Sequence, residues 1–528
     1  MRAILKFSLI LWLTLLQASA ILAADVSGKV KGPDGAPFMG AFVVAENTKN
    51  KVTVSVLSGK DGRFHIGKLP AGTYSFRIRA VGYQSQPENG KVLSTDAKES
   101  LDFALQTATV RWTELTGYQG RTLLPKGKGQ DVLFQNCFIC HDFQTRMAST
   151  VRDADGWRDR VDYMRKAMSF VLGQRFTDEK EDDVVSYLTA TFGPDSTKPK
   201  SPAELPGYKD TVRQFNEQAM NIVYVEYDVT YPKGLPWSAA PDKDGNLWIP
   251  YYGRGNAVGR LNPNSAELTI YPLPFDETAG IHSVIPAPDG TVWFTEFATN
   301  RIAHLDPATK GITEYQDSGD VPGGVRPGKH TIRVDRLGNL WTTGSPFTVF
   351  DVESKKFTHF MDAPSTYGVT MDHTGNMWFA ADGRNKGAVG FVDAGTGKVS
   401  QWPTPDKEPL QRIDIDSDGK VWFTGRTRRT VGQFDPATMT FKEFALPGPS
   451  PSPYPLAIDR NHYAWYNSSD QDTVGRIDPN TGQVMEYPYP HSEARMREFF
   501  LDSQGRIWYA SPTNNRVGYF YLADAASN

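Results

Sequence analysis

Apolar positions change their spacing twice along the chain, and each change marks a domain. From Val26 to about residue 107 the apolar runs are short and divided by turn residues. Val26-Ser27-Gly28-Lys29-Val30 alternates, Gly32-Pro33-Asp34-Gly35 turns, and Ala41-Phe42-Val43-Val44-Ala45 is continuously apolar. Asp61-Gly62-Arg63-Phe64-His65-Ile66 and Gly72-Thr73-Tyr74-Ser75-Phe76-Arg77-Ile78 repeat the turn-then-strand order. This predicts a small β-sandwich over 25–107. Between 113 and 195 the period lengthens to that of a helix. Residues 130–137 are expected to be helical, and Trp157, Val161 and Met164 or Met168 fall at i, i+4, i+7 and i+11, on one face. Thr177 is placed to cap a last helix carrying Val184, Val185, Tyr187 and Leu188. The polar, proline-rich stretch 194–206 then reads as a linker.

Strands return after residue 222 as a repeat: a short strand, Asp-x-x-Gly, an apolar residue, Trp, and a second strand. The tryptophans are Trp248, Trp293, Trp341, Trp378, Trp422, Trp465 and Trp508, at steps of 45, 48, 37, 44, 43 and 43 residues. A second element such as Val258-Gly259-Arg260-Leu261 or Val474-Gly475-Arg476-Ile477 follows. Seven copies of about four strands predict a seven-bladed β-propeller over 222–525. The last copy ends at Val517-Gly518-Tyr519-Phe520, one strand short, and Ile222-Val223-Tyr224-Val225-Glu226-Tyr227 resembles the missing strand. The expected fold is therefore mainly β and multidomain: a β-sandwich, a small α-helical domain and a propeller.

Composition agrees. With 528 residues the chain exceeds one core, and 47 Gly, 36 Pro and 12% aromatics suit a turn-rich β protein. A net charge of -3 gives no reason to expect nucleic acid or an anionic membrane as partner. Residues 1–24 read as a secretory signal: Arg2 and Lys6, an apolar run from Phe7 to Leu16, and Ala18-Ser19-Ala20 as a small-residue cleavage site. The run is short for a bilayer, so no membrane span is expected after cleavage.

The chain has two cysteines, both in Cys137-Phe138-Ile139-Cys140-His141. This spacing lets both sulfurs reach the vinyl groups of one porphyrin and turns the next imidazole toward its iron. Zinc would need two further ligands. One covalent haem c is expected at Cys137, Cys140 and His141. Because haem is attached outside the bacterial cytoplasm, motif and signal agree on a periplasmic protein.

Three family resemblances add to this. Residues 25–107 resemble a carboxypeptidase regulatory-like domain of the transthyretin kind, which implies a non-catalytic spacer or binding module. Residues 113–195 resemble a class I cytochrome c. That implies electron transfer and a methionine as sixth iron ligand: Met164 first, with Met168 and Met147 as alternatives. Residues 222–525 resemble the streptogramin lyase (virginiamycin B lyase) family, most sharply at Ile281-His282 followed by Trp293-Phe294-Thr295-Glu296. The resemblance implies a histidine for proton transfer and carboxylates that hold Mg²⁺ at the propeller centre, which transfers to His282 and Glu296. His330 is the second histidine candidate, with Gly344 at the position corresponding to Glu296.

Counting eleven residues back from each tryptophan marks the inner-strand position: Trp237, His282, His330, Tyr367, Gln411, Tyr454 and Arg497. A ring this rich in chemistry supports a catalytic pocket. The first functional expectation is a periplasmic oxidoreductase. Its propeller would bind a small-molecule substrate with His282 as general base, and its haem would pass electrons to a partner such as another cytochrome. The alternatives are a carbon–oxygen lyase with an accessory haem, and a binding or redox-sensing module without turnover.

Overall fold

The computed structural model describes residues 23–138, 141–274, 278–318, 328–363, 365–383 and 385–523. The signal segment up to residue 22, and Cys140, lie outside them. The N-terminal strand Ala24–Lys31 pairs with Arg63–Leu69 and with Lys98–Ser100. Phe42–Asn47 lies between Thr53–Leu57 and Gly72–Arg79. Val26, Val43, Phe64, Ile66, Phe76 and Leu93 fill the core between these sheets, as the alternation requires.

This sandwich is not a free-standing module. The edge strand Thr53–Leu57 pairs antiparallel with Ile222–Asp228, setting Ser55 opposite Tyr224. On its other side Ile222–Asp228 pairs over its whole length with Arg516–Leu522. An eight-stranded sheet thus runs from the sandwich into the C-terminal part of the chain. The anticipated closing strand is present, and its outer edge is covered by the N-terminal domain instead of facing water. An uncovered edge is a row of unpaired N–H and C=O groups, so each domain satisfies the other's edge.

From Gly234 onward, among the described residues, six further antiparallel sheets follow in chain order, beside the one formed by Phe499–Leu501, Ile507–Ser511, Arg516–Leu522 and Ile222–Asp228. Innermost strands touch in succession, and Phe499–Leu501 touches Ala240–Pro241 of the first sheet, so the ring closes. The architecture is a β-propeller. The repeat's tryptophan has a defined task. In six sheets its Nε1 donates to the aspartate six residues earlier, as from Trp422 to Asp416 Oδ2 at 2.9 Å. That aspartate also accepts turn N–H groups, fixing the Asp-x-x-Gly turn against the ring. In the second sheet Ala287 takes its place.

Residues 113–220 form a helical unit. Helices Gly117–Leu123, Ala154–Ala167 and Asp178–Phe192 surround Trp112, Phe143, Trp157, Val161, Val184, Val185, Tyr187 and Leu188. Thr177 caps the last helix by accepting from Lys180 N. The predicted helix over 130–137 is a short α-turn, Gln130–Val132, that loosens into a π-helical turn, Leu133–Cys137. Helix Ala154–Ala167 ends before Met168, which is its C-cap. Among the described residues no helix is long and apolar enough to cross a membrane.

Candidate functional site

Two sites emerge, a large cavity and the propeller axis. The cavity, of about 740 Å³, lies where the helical unit meets the propeller. Cys137, His141, Met147, Met164 and Met168 line it, with Trp157, Val161, Leu172, Phe176 and Leu188 as apolar walls. Tyr231, Leu235, Tyr252 and Arg254 close it from the propeller side. His141 is buried, with Nδ1 2.7 Å from the carbonyl of Asp142. If Nδ1 carries the proton, Nε2 is left with its lone pair, the form in which imidazole binds a metal. Burial pulls the imidazole down to about 4, keeping it neutral. Met164 and Met168 sit with Leu172 against Trp237 and Tyr252, while Met147 belongs to the helical core. Size, apolar walls and a donor set of one thiol, one imidazole and three thioethers suit a porphyrin.

At the axis, six of the residues eleven before a tryptophan converge: Trp237, His282, His330, Tyr367, Tyr454 and Arg497. The rings of His282 and His330 lie 3.7 Å apart, His330 and Tyr367 4.2 Å, and Trp237 and His282 5.8 Å between centroids. The Tyr367 and Tyr454 hydroxyls are hydrogen-bonded. Arg497 lies over both Trp237 and Tyr454. Trp237 stacks on Tyr252 with centroids 4.1 Å apart, so the axis and the cavity share one wall.

Strict alternation turns only every second residue inward, yet here the next residue points inward too. Inner strands carry a bulge between Ile281 and Val284, Thr366 and Val369, Leu410 and Ile413, and Pro453 and Leu456. The extra residue puts two consecutive side chains on one face. It brings in Ser283 and Arg412, ten residues before their tryptophans; Thr331 and Glu498, at the same count from theirs, stand just ahead of the strands Ile332–Val334 and Phe499–Leu501 and join them. Arg412 Nη1 donates to Thr331 Oγ1 at 3.0 Å and to Glu498 Oε1 at 3.3 Å; Ser283 Oγ donates to Glu498 Oε2 at 3.2 Å. Arg333 lies 3.6 Å from the same carboxylate.

The bulge's spare N–H is taken up by the threonine two residues beyond the tryptophan. Thr295, Thr343 and Thr424 accept from the N–H groups of Ser283, Thr331 and Arg412 at 3.0–3.1 Å. The same hydroxyls donate to the carbonyls of His330, Tyr367 and Tyr454 in the following sheet, at 3.0, 2.7 and 3.2 Å. Each threonine therefore ties its own inner strand to the next.

Burial, then the neighbouring His330, Arg412 and Arg497, drive His282 well below its usual value; burial and Arg412 do the same to His330. Both imidazoles are neutral. Burial pushes the Tyr454 phenol up, but Arg412 and Arg497 outweigh it and leave it below the ordinary value; Tyr367 is raised well above by burial and by Tyr454. Trp237 Nε1, Ser238 Oγ, His282 Nδ1 and Arg412 Nε are buried with no hydrogen-bond partner among the described residues. Such groups are costly unless a guest satisfies them.

Sequence reasoning brought His282 and His330 together correctly, but Glu296 does not join them. Glu296 pairs with Ile281 in the ladder, so it shares that residue's face and not the face of His282. Its carboxylate accepts from Thr299 Oγ1 at 2.8 Å and lies 3.9 Å from Arg301. Burial, and secondarily the neighbouring Glu314, raises it to about 8. The expected Mg²⁺ does not fit. Glu296 faces away, and the axial carboxylate, Glu498, is already engaged by two guanidinium groups. Arg412 was missed because period-two reasoning has no place for a bulge; the tryptophan ruler set at ten instead of eleven would have found it, and Glu498 with it. Glu277, a weak substitute carboxylate in sequence, lies outside the described residues.

The fold and these sites define a two-domain β frame, a sandwich joined to a propeller, with a helical unit against it. Residues 25–106 match the carboxypeptidase regulatory-like domain, and residues 351–526 match the virginiamycin B lyase family. Among solved structures, a streptogramin B lyase is 21% identical, covering 58% of this chain and 100% of its own, with a TM-score of 0.52. The virginiamycin B lyase of Staphylococcus aureus is 22% identical, covering 57% and 99%, with a TM-score of 0.51. At this identity the likeness is one of fold. No curated protein matches by sequence. His282, Glu296 and His330 all precede the stretch matched by the lyase family.

Proposed function

We propose that the chain is a periplasmic c-type haem protein acting as an oxidoreductase, with a cytochrome c-like helical unit and a seven-bladed propeller that binds a small substrate at its axis. The observation that carries this reading is the cavity in which Cys137 and His141 meet three methionines. Cys137 and Cys140 would hold the porphyrin covalently, and His141 together with Met164, or Met168 or Met147 in its place, would hold the iron. Arg146, Arg152, Arg160 and Arg254 at the cavity wall would receive the two propionates. Haem held there would supply one-electron transfer, with another cytochrome as the kind of partner that would take the electron.

The axis supplies recognition and proton handling. His282 is neutral and has an unsatisfied buried nitrogen, so it can take a proton from a substrate hydroxyl. Arg412 and Arg497 favour an oxygenated or anionic ring compound. A lyase reading is weaker, since the carboxylates that would bind its metal are turned away or neutralised.

The test replaces Cys137 and Cys140 with alanine in the full chain. The wild type should give the haem c absorption bands and one haem per chain by pyridine haemochrome; the double variant should lose both. Phenolic and carboxylated ring compounds are then screened with and without a one-electron acceptor. Turnover indifferent to acceptor and haem would sink the oxidoreductase.

A further inference from the structure

One loop of the propeller reaches every other part of the molecule. Residues 489–498 connect the sixth sheet to the innermost strand of the seventh, and end at the axis with Arg497 and Glu498. His491 bonds Glu226 at 2.7 Å and Arg79 of the sandwich at 2.6 Å. Ser492 Oγ donates to the carbonyl of Thr113. Two of the next three residues, Glu493 and Arg495, hold the stretch that follows the haem motif.

Glu493 accepts from the N–H of Asp142 through Oε1 at 2.8 Å and from the N–H of Thr145 through Oε2 at 3.0 Å. Arg495 grips the Asp142 carboxylate with Nε, at 3.0 Å, and with one terminal nitrogen. Both partners are buried, and the far side of that carboxylate is packed by Gly117, where a Cβ would come within 2.9 Å of Oδ2. Asp142 also supplies the carbonyl that lies against His141 Nδ1. The backbone that aims the imidazole is therefore held by two side chains of the propeller.

The loop is itself held in place. Glu493 and Arg495 both have left-handed backbone, at φ 63° and 36°, a conformation that persists only where surroundings over-determine it. Ala494 N donates to Asp472, Ser511 Oγ to the Ala494 carbonyl and Thr513 Oγ1 to the Glu493 carbonyl. Simple docking of two modules would not require strained residues clasping the segment beside one imidazole.

We propose that Arg495 and Glu493 are positioning residues for His141, making the propeller a structural half of the haem site; the inference rests on the haem reading above. Arg495 fixes the Asp142 side chain and Glu493 the main chain at 142 and 145, and together they set the imidazole's orientation toward the metal. The guanidinium fork matches the carboxylate with two parallel bonds, which lysine cannot reproduce.

The experiment compares full-length, haem-matured wild type with Arg495→Lys, Arg495→Met and Glu493→Gln. Haem content, the ferric low-spin EPR g-values and the reduction midpoint are read on each. The expected result is wild-type haem content with displaced g-values and midpoint in Arg495→Met and Glu493→Gln, and partial return in Arg495→Lys. Haem-replete variants whose g-values and midpoint equal those of the wild type would overturn the proposal, leaving the loop a mere tether. Should Arg495→Met fail to fold, Arg495→Lys and Glu493→Gln decide alone. A wild type without haem overturns the underlying reading, an outcome visible before any variant is made.

Discussion

Replacing Thr424 with valine removes one hydroxyl and almost no volume, which isolates the bridge between neighbouring inner strands. Thr424 is fully buried; its hydroxyl accepts from Arg412 N at 3.0 Å and donates to the Tyr454 carbonyl at 3.2 Å. Valine leaves an N–H and a C=O without that partner in a place water does not reach. An orphaned buried group costs about 1–3 kcal/mol. The N–H, which has one bond to give, bears the full cost, and the carbonyl, with two lone pairs, bears less. A loss of about 2–4 kcal/mol follows. Thr424→Ser keeps the hydroxyl and gives up one methyl, about 0.8 kcal/mol. Urea unfolding followed by tryptophan fluorescence reads the propeller directly, since most of the tryptophans lie in it. Valine should lower the midpoint severalfold more than serine. A valine variant within about 0.5 kcal/mol of wild type, the usual range of a neutral surface change, would refute the bridging role of these threonines.

Three further outcomes are expected. Trp422→Phe should cost about 1.5–3 kcal/mol more than Trp293→Phe in the same assay, because Trp422 donates to Asp416 whereas Ala287 stands at the matching position for Trp293. Glu296 has a folded value near 8 against 4.5 for the free side chain. The folded state thus binds more protons between these values, and stability falls as pH rises from about 4.5 to 8; Glu296→Gln should flatten that decline in thermal melts across the range. Glu226 behaves oppositely. Burial raises it, but His491 and Arg516 outweigh burial and bring it to about 2, so its stabilisation is complete above 4.5 and is lost as pH falls toward 2. Glu226→Gln should shrink the acid sensitivity in that window, and an unchanged acid limb would contradict the assignment.

Much of this molecule is legible in its residues alone. The tryptophan repeat locates the propeller sheets because each Asp-x-x-Gly turn and its indole form a local unit closed by a bond six residues long. Thr177 announces its helix for the same reason, and the position eleven before each tryptophan finds His282, His330, Tyr367, Tyr454 and Arg497 because strand periodicity is a local property. What the residues could not reveal depends on distant partners. Whether Glu296 faces the imidazoles is settled by its ladder partner Ile281, and Arg412 reaches the axis through a bulge held by Thr424, which also bonds the next sheet. That the sandwich lends Thr53–Leu57 to Ile222–Asp228, and that Glu493 and Arg495 clasp the segment after His141 across 351 and 353 positions of chain, are facts of closure in space. Backbone edges and buried charges must find partners somewhere, and only the folded chain determines which partners those are.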